Sequence, residues 1–195
     1  MHAGKSGTVT YAEYLAAEST SLEKHEWYNG QVYAMAGGTP EHAFLGGAVI
    51  SELRNALKGK PCRPFSGDLR IRSLVTDLAT YPDAAVVCGP RVAHPDDKDA
   101  CCNPTALFEV LSPTTEAYDR GEKFEHCQTL AALRDYVLVC TGRNHIDHYM
   151  RNEDGSWTRR GYGPGEAFTL SGVAVTLRVD DVYAGVEEVR ELSVG

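Results

Sequence analysis

The chain has 195 residues, of which 43% are hydrophobic, enough for one domain with a substantial core. Its formal net charge of -8 excludes a surface that holds nucleic acid by overall positive charge, so any site for a polyanion must be local. No run of about eighteen apolar residues occurs, and the first residues, MHAGKSG, lack an apolar stretch of about seven. We therefore expect a cytoplasmic protein with no membrane span, folded as a single domain over residues 1–195 with a loose N-terminal segment over residues 1–9.

The first two predicted elements are a helix and a hairpin. Residues 8–18, TVTYAEYLAAE, carry apolar side chains at helical spacing behind Thr8 or Thr10 as a possible N-cap. Residues 25–35, HEWYNGQVYAM, alternate aromatic and polar residues around the sequence Asn29-Gly30. An Asn-Gly pair between alternating runs is a strong signal for a two-residue turn, so this segment predicts a β-hairpin.

A long helix and several strands follow. Thr39 as N-cap and Pro40 at the first helical position predict an amphipathic helix that ends near Gly59. The short runs CRPF, LRIRSLV and AAVVC are separated by turn-like stretches and predict strands. The polar segment GPRVAHPDDKDACCNP then predicts an exposed loop.

The next strand, ALFEVLS at residues 106–112, is apolar except for Glu109. A buried carboxylate costs several kcal/mol unless a partner compensates it, so this position needs an explanation. A helical pattern in AYDRGEKFEHCQTLAAL and a buried strand in DYVLVC come afterwards. Strand, helix and strand in this order predict a right-handed crossover between parallel strands, and the tail predicts antiparallel edge strands. The fold class is therefore α/β with a mixed central sheet.

Six cysteines stand at positions 62, 88, 101, 102, 127 and 140, with no C-x-x-C pair among them. Several lie in apolar runs, where a thiol behaves as a small hydrophobic group. We therefore predict buried free thiols. A zinc site built on Cys101 and Cys102 is disfavoured, because adjacent strand residues point to opposite faces.

The second acidic residue of interest is Asp83 in TYPDAAVV, where it opens an apolar strand. If that strand lies beside the one with Glu109, the two carboxylates converge, and a hard divalent ion such as Mg²⁺ or Mn²⁺ resolves their repulsion. Lys123 follows near the start of the next helix, from where it can reach an attacking water or a phosphoryl oxygen. Each residue also has a purely structural interpretation. Asp83 could cap a turn, Glu109 could form an ion pair with an arginine at a strand edge, and Lys123 could be a solvated lysine on the helix surface.

YPD and EVLSPTTEAYDRGEKF, with the upstream HEWYNGQVYAMAGGTPEH and SGDLRIR, resemble the Uma2 family, formerly domain of unknown function 820, in the PD-(D/E)XK nuclease superfamily. The resemblance covers roughly residues 10–185. It implies a restriction-endonuclease-like fold, a central mixed β-sheet flanked by helices, with Asp83 and Glu109 as metal ligands. Lys123 matches the family's relocated lysine.

The chain departs from the family pattern at three positions. The superfamily's usual lysine position holds Leu111. Cys127 stands where the family commonly has a tyrosine, and Cys140 stands where it has an aspartate. The resemblance therefore implies that the metal-binding pair is intact and that the surroundings of the site are altered.

Three further polar residues match the family more loosely: Glu26 before the Asn-Gly turn, His42 in the first turn of the long helix, and Asp68 in SGDLRIR. Glu26 is a candidate outer carboxylate for a second metal, and His42 is a candidate for positioning a water or contacting phosphate. Capping or a structural hydrogen bond explains each of them equally well.

Two other local patterns suggest binding sites: a basic stretch for phosphate and the sequence HIDH for a metal ion. Positive charge is in local excess between Ser51 and Arg72, which predicts either a phosphate-binding patch or a solvated helix end. The basic residues are Arg54, Lys58, Lys60, Arg63, Arg70 and Arg72. In HIDH, His145 and Asp147 fall on one strand face and His148 on the other, so that strand alone does not make a metal site.

The leading hypothesis is a metal-dependent endonuclease that hydrolyses phosphodiester bonds in DNA. Asp83 and Glu109 would bind Mg²⁺ or Mn²⁺, and Lys123 would orient the attacking water or stabilise the developing charge. Cleavage of both strands of a duplex needs two sites, so a homodimer is expected. The alternative is a non-catalytic, oligomeric nucleic-acid-binding or scaffold protein that retains the nuclease fold.

Overall fold

The computed structural model describes residues 8–35 and 37–186. Of the expected loose segment 1–9, residues 1–7 lie outside this part of the chain. The helices are α1 (Tyr11–Glu18), α2 (Pro40–Ala56), α3 (Glu116–Arg120), α4 (Glu122–Cys127) and α5 (Val179–Val182). The strands are β1 (His25–Tyr28), β2 (Gln31–Ala34), β3 (Cys62–Ser66), β4 (Ile71–Ser73), β5 (Leu78–Thr80), β6 (Ala84–Cys88), β7 (Ala106–Val110), β8 (Asp135–Val139), β9 (Ile146–Arg151), β10 (Trp157–Tyr162), β11 (Ala167–Leu170) and β12 (Val175–Arg178).

A six-stranded sheet with the order β10-β9-β8-β7-β6-β3 forms the centre of the molecule. Strands β7 and β8 are parallel, and the other neighbouring pairs in this sheet are antiparallel. The predicted parallel pairing of these two strands is therefore confirmed, and α3 and α4 lie in the connection between them. A second sheet has the order β2-β1-β5-β4, and β11 and β12 form a separate hairpin.

Helices cover both faces of the central sheet. On one face, Leu45, Val49 and Leu53 of α2 pack in a core that includes Phe108 and the β11–β12 hairpin. On the other face, α4 contributes to a second core with Leu107 of β7 and Leu138 of β8. The predicted fold class, an α/β restriction-endonuclease-like architecture with a mixed sheet flanked by helices, is confirmed. None of the helices in the described segments is long and apolar enough to cross a membrane.

A third, smaller core joins α1, the β1–β2 hairpin and β5 to one another. Tyr14 and Trp27 are buried in it, and the indole N–H of Trp27 donates to the carbonyl oxygen of Val9 at 2.9 Å. The Asn29-Gly30 turn adopts positive φ at both residues, as the predicted hairpin turn requires. This attachment fixes the position of β1, which carries Glu26.

The prediction of six free thiols is wrong, because Cys62 and Cys88 form a disulfide. The register of β3 and β6 pairs these two residues directly across the sheet, with their Cα atoms 4.0 Å apart. Cys101, Cys127 and Cys140 are buried free thiols, as predicted, and Cys102 is a partly exposed one. Sequence spacing does not show which strands are neighbours, so it could not reveal this pairing.

Three element predictions also need correction. The helix predicted in AYDRGEKFEHCQTLAAL breaks at Gly121, whose φ of -114° and ψ of -101° are not helical, so it forms α3 and α4 instead. The strand predicted in LRIRSLV is limited to Ile71–Ser73. Strand β5, which was not predicted, pairs with β1 and β4.

The six basic residues between Ser51 and Arg72 do not form a single patch. Arg70 is nearly buried and pairs with Asp97, with 2.7 Å between Nε and Oδ2. Arg72 is buried, pairs with Asp77, and lies over the rings of Tyr11 and Trp27. Both arginines therefore stabilise the small core, while Arg54, Lys58, Lys60 and Arg63 remain exposed.

Candidate active site

Asp83 directly precedes β6 and Glu109 lies on β7, and these two strands are antiparallel neighbours. The register pairs Ala84 of β6 with Phe108 of β7, so Asp83, one residue before β6, lies opposite Glu109 on the same face of the sheet. The backbone N–H of Val110 donates to Oδ2 of Asp83 at 2.7 Å, which fixes that carboxylate at the end of β7. Because β6 and β7 are adjacent, the two carboxylates lie near each other at the same end of the strand pair.

Lys123 is the partner of the buried glutamate. Its Nζ lies 2.9 Å from Oε1 of Glu109, and each residue is only 3% exposed. Burial raises the pKa of Glu109 well above its ordinary value; the charge of Lys123 opposes this rise, and Asp119 and Asp83 add to it. Burial alone would lower the pKa of Lys123, but the surrounding carboxylates raise it well above its usual value. Lys123 therefore carries its proton.

Two further carboxylates surround the same ammonium group. Oε1 of Glu26 lies 3.3 Å from Nζ of Lys123, and Oδ1 of Asp119 lies 3.7 Å from it. Burial raises the pKa of Asp119. Glu26 also accepts hydrogen bonds from Thr80 and, at 3.0 Å, from the hydroxyl of Tyr118. The hairpin residue Glu26 is therefore part of the site, as a structural partner of Lys123.

His42 approaches the site from the N-terminus of α2. Its backbone N–H donates to the N-cap hydroxyl of Thr39 at 3.2 Å, and its Nε2 lies 3.3 Å from Oδ2 of Asp83. The hydrogen bond to Asp83 raises the pKa of His42, against the opposing effect of burial. His42 and Asp83 are only partly buried, so they form the more accessible side of the site.

Asp68 is not brought to this cluster. It lies on the surface, with 81% of its side chain exposed, and pairs with Lys24. A hydrogen bond from Lys24 and the charge of that lysine keep the pKa of Asp68 below its ordinary value. The structure thus gathers five of the six candidate residues, Glu26, His42, Asp83, Glu109 and Lys123, and leaves Asp68 outside.

Asp119 and Tyr118 belong to the cluster but were not singled out from the sequence. The spacing of Asp119 and Lys123, four residues apart, is a recognisable helical pairing signal. Tyr118 carried no comparable signal, because its contact with Glu26 joins residues 92 positions apart. The break at Gly121 lies between Asp119 and Lys123, yet Oδ1 of Asp119 and Nζ of Lys123 still lie 3.7 Å apart.

Among residues 8–35 and 37–186, no group of three or more His, Cys, Asp or Glu side chains forms a ready-made metal cage. The oxygen donors of Asp83 and Glu109 nonetheless suit Mg²⁺, which proteins usually hold through one or two carboxylates together with waters and substrate phosphates. Oε1 of Glu109 is buried and accepts no hydrogen bond of good geometry, despite the charge of Lys123 beside it. Four carboxyl groups thus surround one lysine and one histidine, and a hard divalent cation would favour the ionised form of Glu109, whose pKa burial raises.

Comparison with known proteins agrees with this architecture. Residues 11–180 match the model of the Uma2 family, described as "Putative restriction endonuclease". The uncharacterized protein slr1290 of Synechocystis sp. is 38% identical over 176 residues, which cover 89% of this chain and 90% of that protein. The uncharacterized protein sll1609 of the same organism is 27% identical over 149 residues, covering 76% and 84% of the two chains.

One solved structure is similar in fold. It is described as the crystal structure of a "putative nuclease belonging to DUF820" from Anabaena variabilis, and it superimposes with a TM-score of 0.71 at 17% sequence identity. The match covers 90% of this chain and 97% of that chain. At this identity, the likeness is one of fold.

Proposed function

The chain belongs to the Uma2 family, and we propose that it is a metal-dependent endonuclease that hydrolyses phosphodiester bonds in DNA. The observation that carries the proposal is the arrangement of Asp83 and Glu109 on one sheet face, with Lys123 2.9 Å from Glu109. Glu26, Glu109 and Asp119 are buried around Lys123, and burying three carboxylates has a large desolvation cost. One ion pair on the surface would avoid that cost. A site that must hold cations gives those carboxylates a reason to be there.

Asp83 and Glu109 are the residues that would hold Mg²⁺ or Mn²⁺. When bound, such an ion supplies Lewis acidity toward a phosphoryl oxygen and lowers the pKa of a water molecule. The hydrogen bond from the N–H of Val110 and the contact with His42 orient the Asp83 carboxylate. Orientation of this kind matters because carboxylate ligands hold a small ion only in a narrow geometry.

Lys123 acts in this proposal as a cationic donor and not as a base. Its neighbours raise its pKa, so Nζ keeps its proton at neutral pH. A fixed ammonium group beside Glu109 can orient a water molecule or stabilise the negative charge that develops on phosphate oxygens during hydrolysis. Glu26 and Asp119 hold Lys123 in place, and Tyr118 and Thr80 hold Glu26.

Plasmid cleavage tests the proposal directly. Purified protein is incubated with supercoiled DNA and Mg²⁺ or Mn²⁺, beside the variants Asp83→Asn and Asp68→Asn. We expect nicked or linear DNA from the wild type and from Asp68→Asn, whose carboxylate is on the surface, and none from Asp83→Asn. If the wild type and Asp83→Asn are equally inert on DNA and RNA, the endonuclease proposal fails.

A second candidate function is that of a non-catalytic nucleic-acid-binding or scaffold protein. The observation that favours it is the burial of the Glu109–Lys123 pair, since each residue is only 3% exposed. The same plasmid experiment separates the two functions, because in the presence of Mg²⁺ a non-catalytic nucleic-acid-binding protein retards DNA on a gel without cutting it, and a scaffold protein leaves the DNA intact.

We also propose that the protein is a homodimer located in the cytoplasm. A homodimer would supply two active sites for the two strands of a duplex, and sedimentation of the purified protein measures this. The four free thiols are typical of the cytoplasm, whereas the Cys62–Cys88 disulfide would be rare in that reducing compartment. We propose a cytoplasmic location, to be tested by fractionation of cells that produce the protein.

A further inference from the structure

One lateral row of the central sheet extends the candidate active site toward a second group of charged residues. Glu109 of β7 pairs with Leu138 of β8, and Leu138 pairs with Asp147 of β9. Residues directly opposite each other on neighbouring strands point to the same face, and adjacent strands are about 4.8 Å apart. Asp147 therefore lies on the same face as Glu109, roughly 10 Å along the sheet.

Asp147 is buried and surrounded by positive side chains. Oδ2 accepts from Nη1 of Arg120 at 2.7 Å, and Oδ1 accepts from Nη2 of Arg159 at 2.9 Å and from Nε of Arg159 at 3.0 Å. Nε2 of His145 lies 3.5 Å from the same Oδ1. Burial alone would raise the pKa of Asp147, but the two arginines outweigh it and lower that pKa below its ordinary value. The carboxylate is therefore a charged anchor for two guanidinium groups.

The two arginines are engaged differently. Arg120 uses all three of its nitrogens, bonding to Glu116, Asp147 and the Sγ of Cys140. Arg159 directs only Nε and Nη2 to Asp147, its Nη1 has no bond among the described residues, and 56% of its side chain is exposed. Arg143, also exposed, places Nη2 4.0 Å from the same Sγ of Cys140. Three arginines, Arg120, Arg143 and Arg159, thus stand beside the two carboxylates of Glu116 and Asp147, so positive charge is in excess.

We propose that Arg159, positioned by Asp147, and the exposed Arg143 beside Cys140 bind backbone phosphates of the DNA strand that enters the candidate active site. The inference rests on the proposed function, because it assigns a place for the same substrate. Phosphates follow one another every ~3.4 Å of helix axis along one strand, so a site roughly 10 Å from Glu109 falls two to three phosphates from the reacting one. Guanidinium groups are well matched to phosphate oxygens in charge and geometry.

The position of Arg120 couples this cluster to the candidate active site. Arg120 follows Asp119 directly, and Asp119 contacts Lys123 while Arg120 contacts Asp147. Helix α3 thus supplies one side chain to each group from successive residues. Gly161, opposite Asp147 on β10, leaves the space in which the His145 ring lies, since a Cβ there would be 2.9 Å from Cε1 of His145.

The adjacent residue on β10 provides a matched control. Arg160 is exposed like Arg159, but it follows it in the strand and therefore points to the opposite face, where it lies over the ring of Tyr162. Replacing either residue removes one positive charge from the same strand. Only Arg159 is on the face that carries Glu109.

The experiment measures fluorescence anisotropy of a labelled duplex of about 20 base pairs in EDTA, where no cleavage occurs, at several salt concentrations. For Arg159→Gln we expect a dissociation constant roughly five-fold higher than for the wild type, and a slope of log K against log salt smaller by about 1. For Arg160→Gln we expect a change of less than about two-fold, since it contacts no phosphate. Melting temperatures of both variants are recorded in parallel.

Each outcome bears on the inference. If Arg159→Gln binds the duplex as tightly as Arg160→Gln does, Arg159 does not bind phosphate and the inference fails, whether or not the protein cuts DNA. If Arg159→Gln only lowers the melting temperature, Arg159 serves as a clamp between β9 and β10, and the inference is also overturned. A wild type that binds no duplex and cuts none overturns the proposed function together with the inference.

Discussion

Nζ of Lys123 lies 2.9 Å from Oε1 of Glu109, and both side chains are almost completely buried. The lysine reaches the strand from α4, which packs on the sheet through Phe124 and Cys127. The position two residues after Glu109 is occupied by Leu111, which lies in the same core. The positive charge therefore comes from the crossover helix, and the strand position it leaves is filled by an apolar side chain.

Replacing Lys123 with methionine should destabilise the protein strongly. The change leaves Glu109, Glu26 and Asp119 buried without their shared counter-ion, and breaking a buried pair in this way costs about 3–5 kcal/mol. Urea unfolding at pH 7 measures the loss in free energy of unfolding. The double variant Lys123→Met, Glu109→Gln should recover part of it, and an unchanged stability for Lys123→Met alone would show that the ammonium compensates nothing.

The carboxylate pair predicts a divalent cation site that calorimetry can detect. Mn²⁺ should bind the wild type, and binding should be lost in Glu109→Gln and in Asp83→Asn, because each change removes one charged oxygen ligand. Asp68→Asn serves as the control, since Asp68 lies on the surface and pairs with Lys24. At a hundred times its dissociation constant, Mn²⁺ should add about 2.7 kcal/mol to the free energy of unfolding. Equal titration curves for all four proteins would rule out this site.

The ion pair between Asp97 and Arg70 predicts a pH-dependent contribution to stability. Burial alone would raise the pKa of Asp97, but hydrogen bonds from Arg70 and Tyr11 and the charge of Arg70 lower it to about 2. Because the folded-state pKa is below the unfolded value, the stabilisation is present above about pH 4 and is lost as the pH falls through 2. The shift corresponds to about 2 kcal/mol.

The variant Asp97→Asn should therefore lose about 2 kcal/mol at pH 7 and progressively less as the pH falls below about 4. Urea unfolding at a series of pH values gives the two curves. Asp96→Asn, at the exposed neighbouring position, should follow the wild type throughout. A loss for Asp97→Asn that is the same at pH 7 and pH 3 would mean that packing, and not the charge, is responsible.

The disulfide between Cys62 and Cys88 should stabilise the protein by reducing the conformational entropy of the unfolded chain. It closes a loop between residues 26 positions apart, for which the chain-entropy model gives about 3–4 kcal/mol. Protein purified without reductant should show four reactive thiols when denatured, and dithiothreitol should lower its urea midpoint. The double variant Cys62→Ser, Cys88→Ser should not respond to the reductant. Six reactive thiols would show that the bond does not form.

The local features of this chain were readable because they depend on near neighbours. Thr39 and Pro40 marked the start of α2, the Asn29-Gly30 turn marked the first hairpin, and both are present. The order of apolar runs likewise predicted the parallel pairing of β7 with β8. These features follow from hydrogen bonding within a few residues and from the handedness of crossovers, which do not depend on the rest of the molecule.

Contacts between distant segments were not readable in the same way. The bonds of Glu26 to Thr80 and Tyr118 join residues 54 and 92 positions apart, and no spacing rule connects them. The sequence predicts Arg70 as part of a basic patch or a solvated helix end, whereas in the structure it pairs with Asp97, 27 positions away. A long-range contact depends on which strands become neighbours and in which register, and a slip of one residue would reverse every face.

The sequence by itself determined that this is a mixed α/β protein with a carboxylate buried in a strand, because apolar periodicity and the cost of desolvation are properties of short segments. It also placed Asp83 and Lys123 among the candidate partners of Glu109. Only the tertiary structure decided that Glu26 and Asp119 share that lysine, that Asp68 stays on the surface, and that the Asp147 cluster lies in the same row of the sheet. The physical reason is register: strand pairing sets which side chains meet, and pairing is a property of the whole fold.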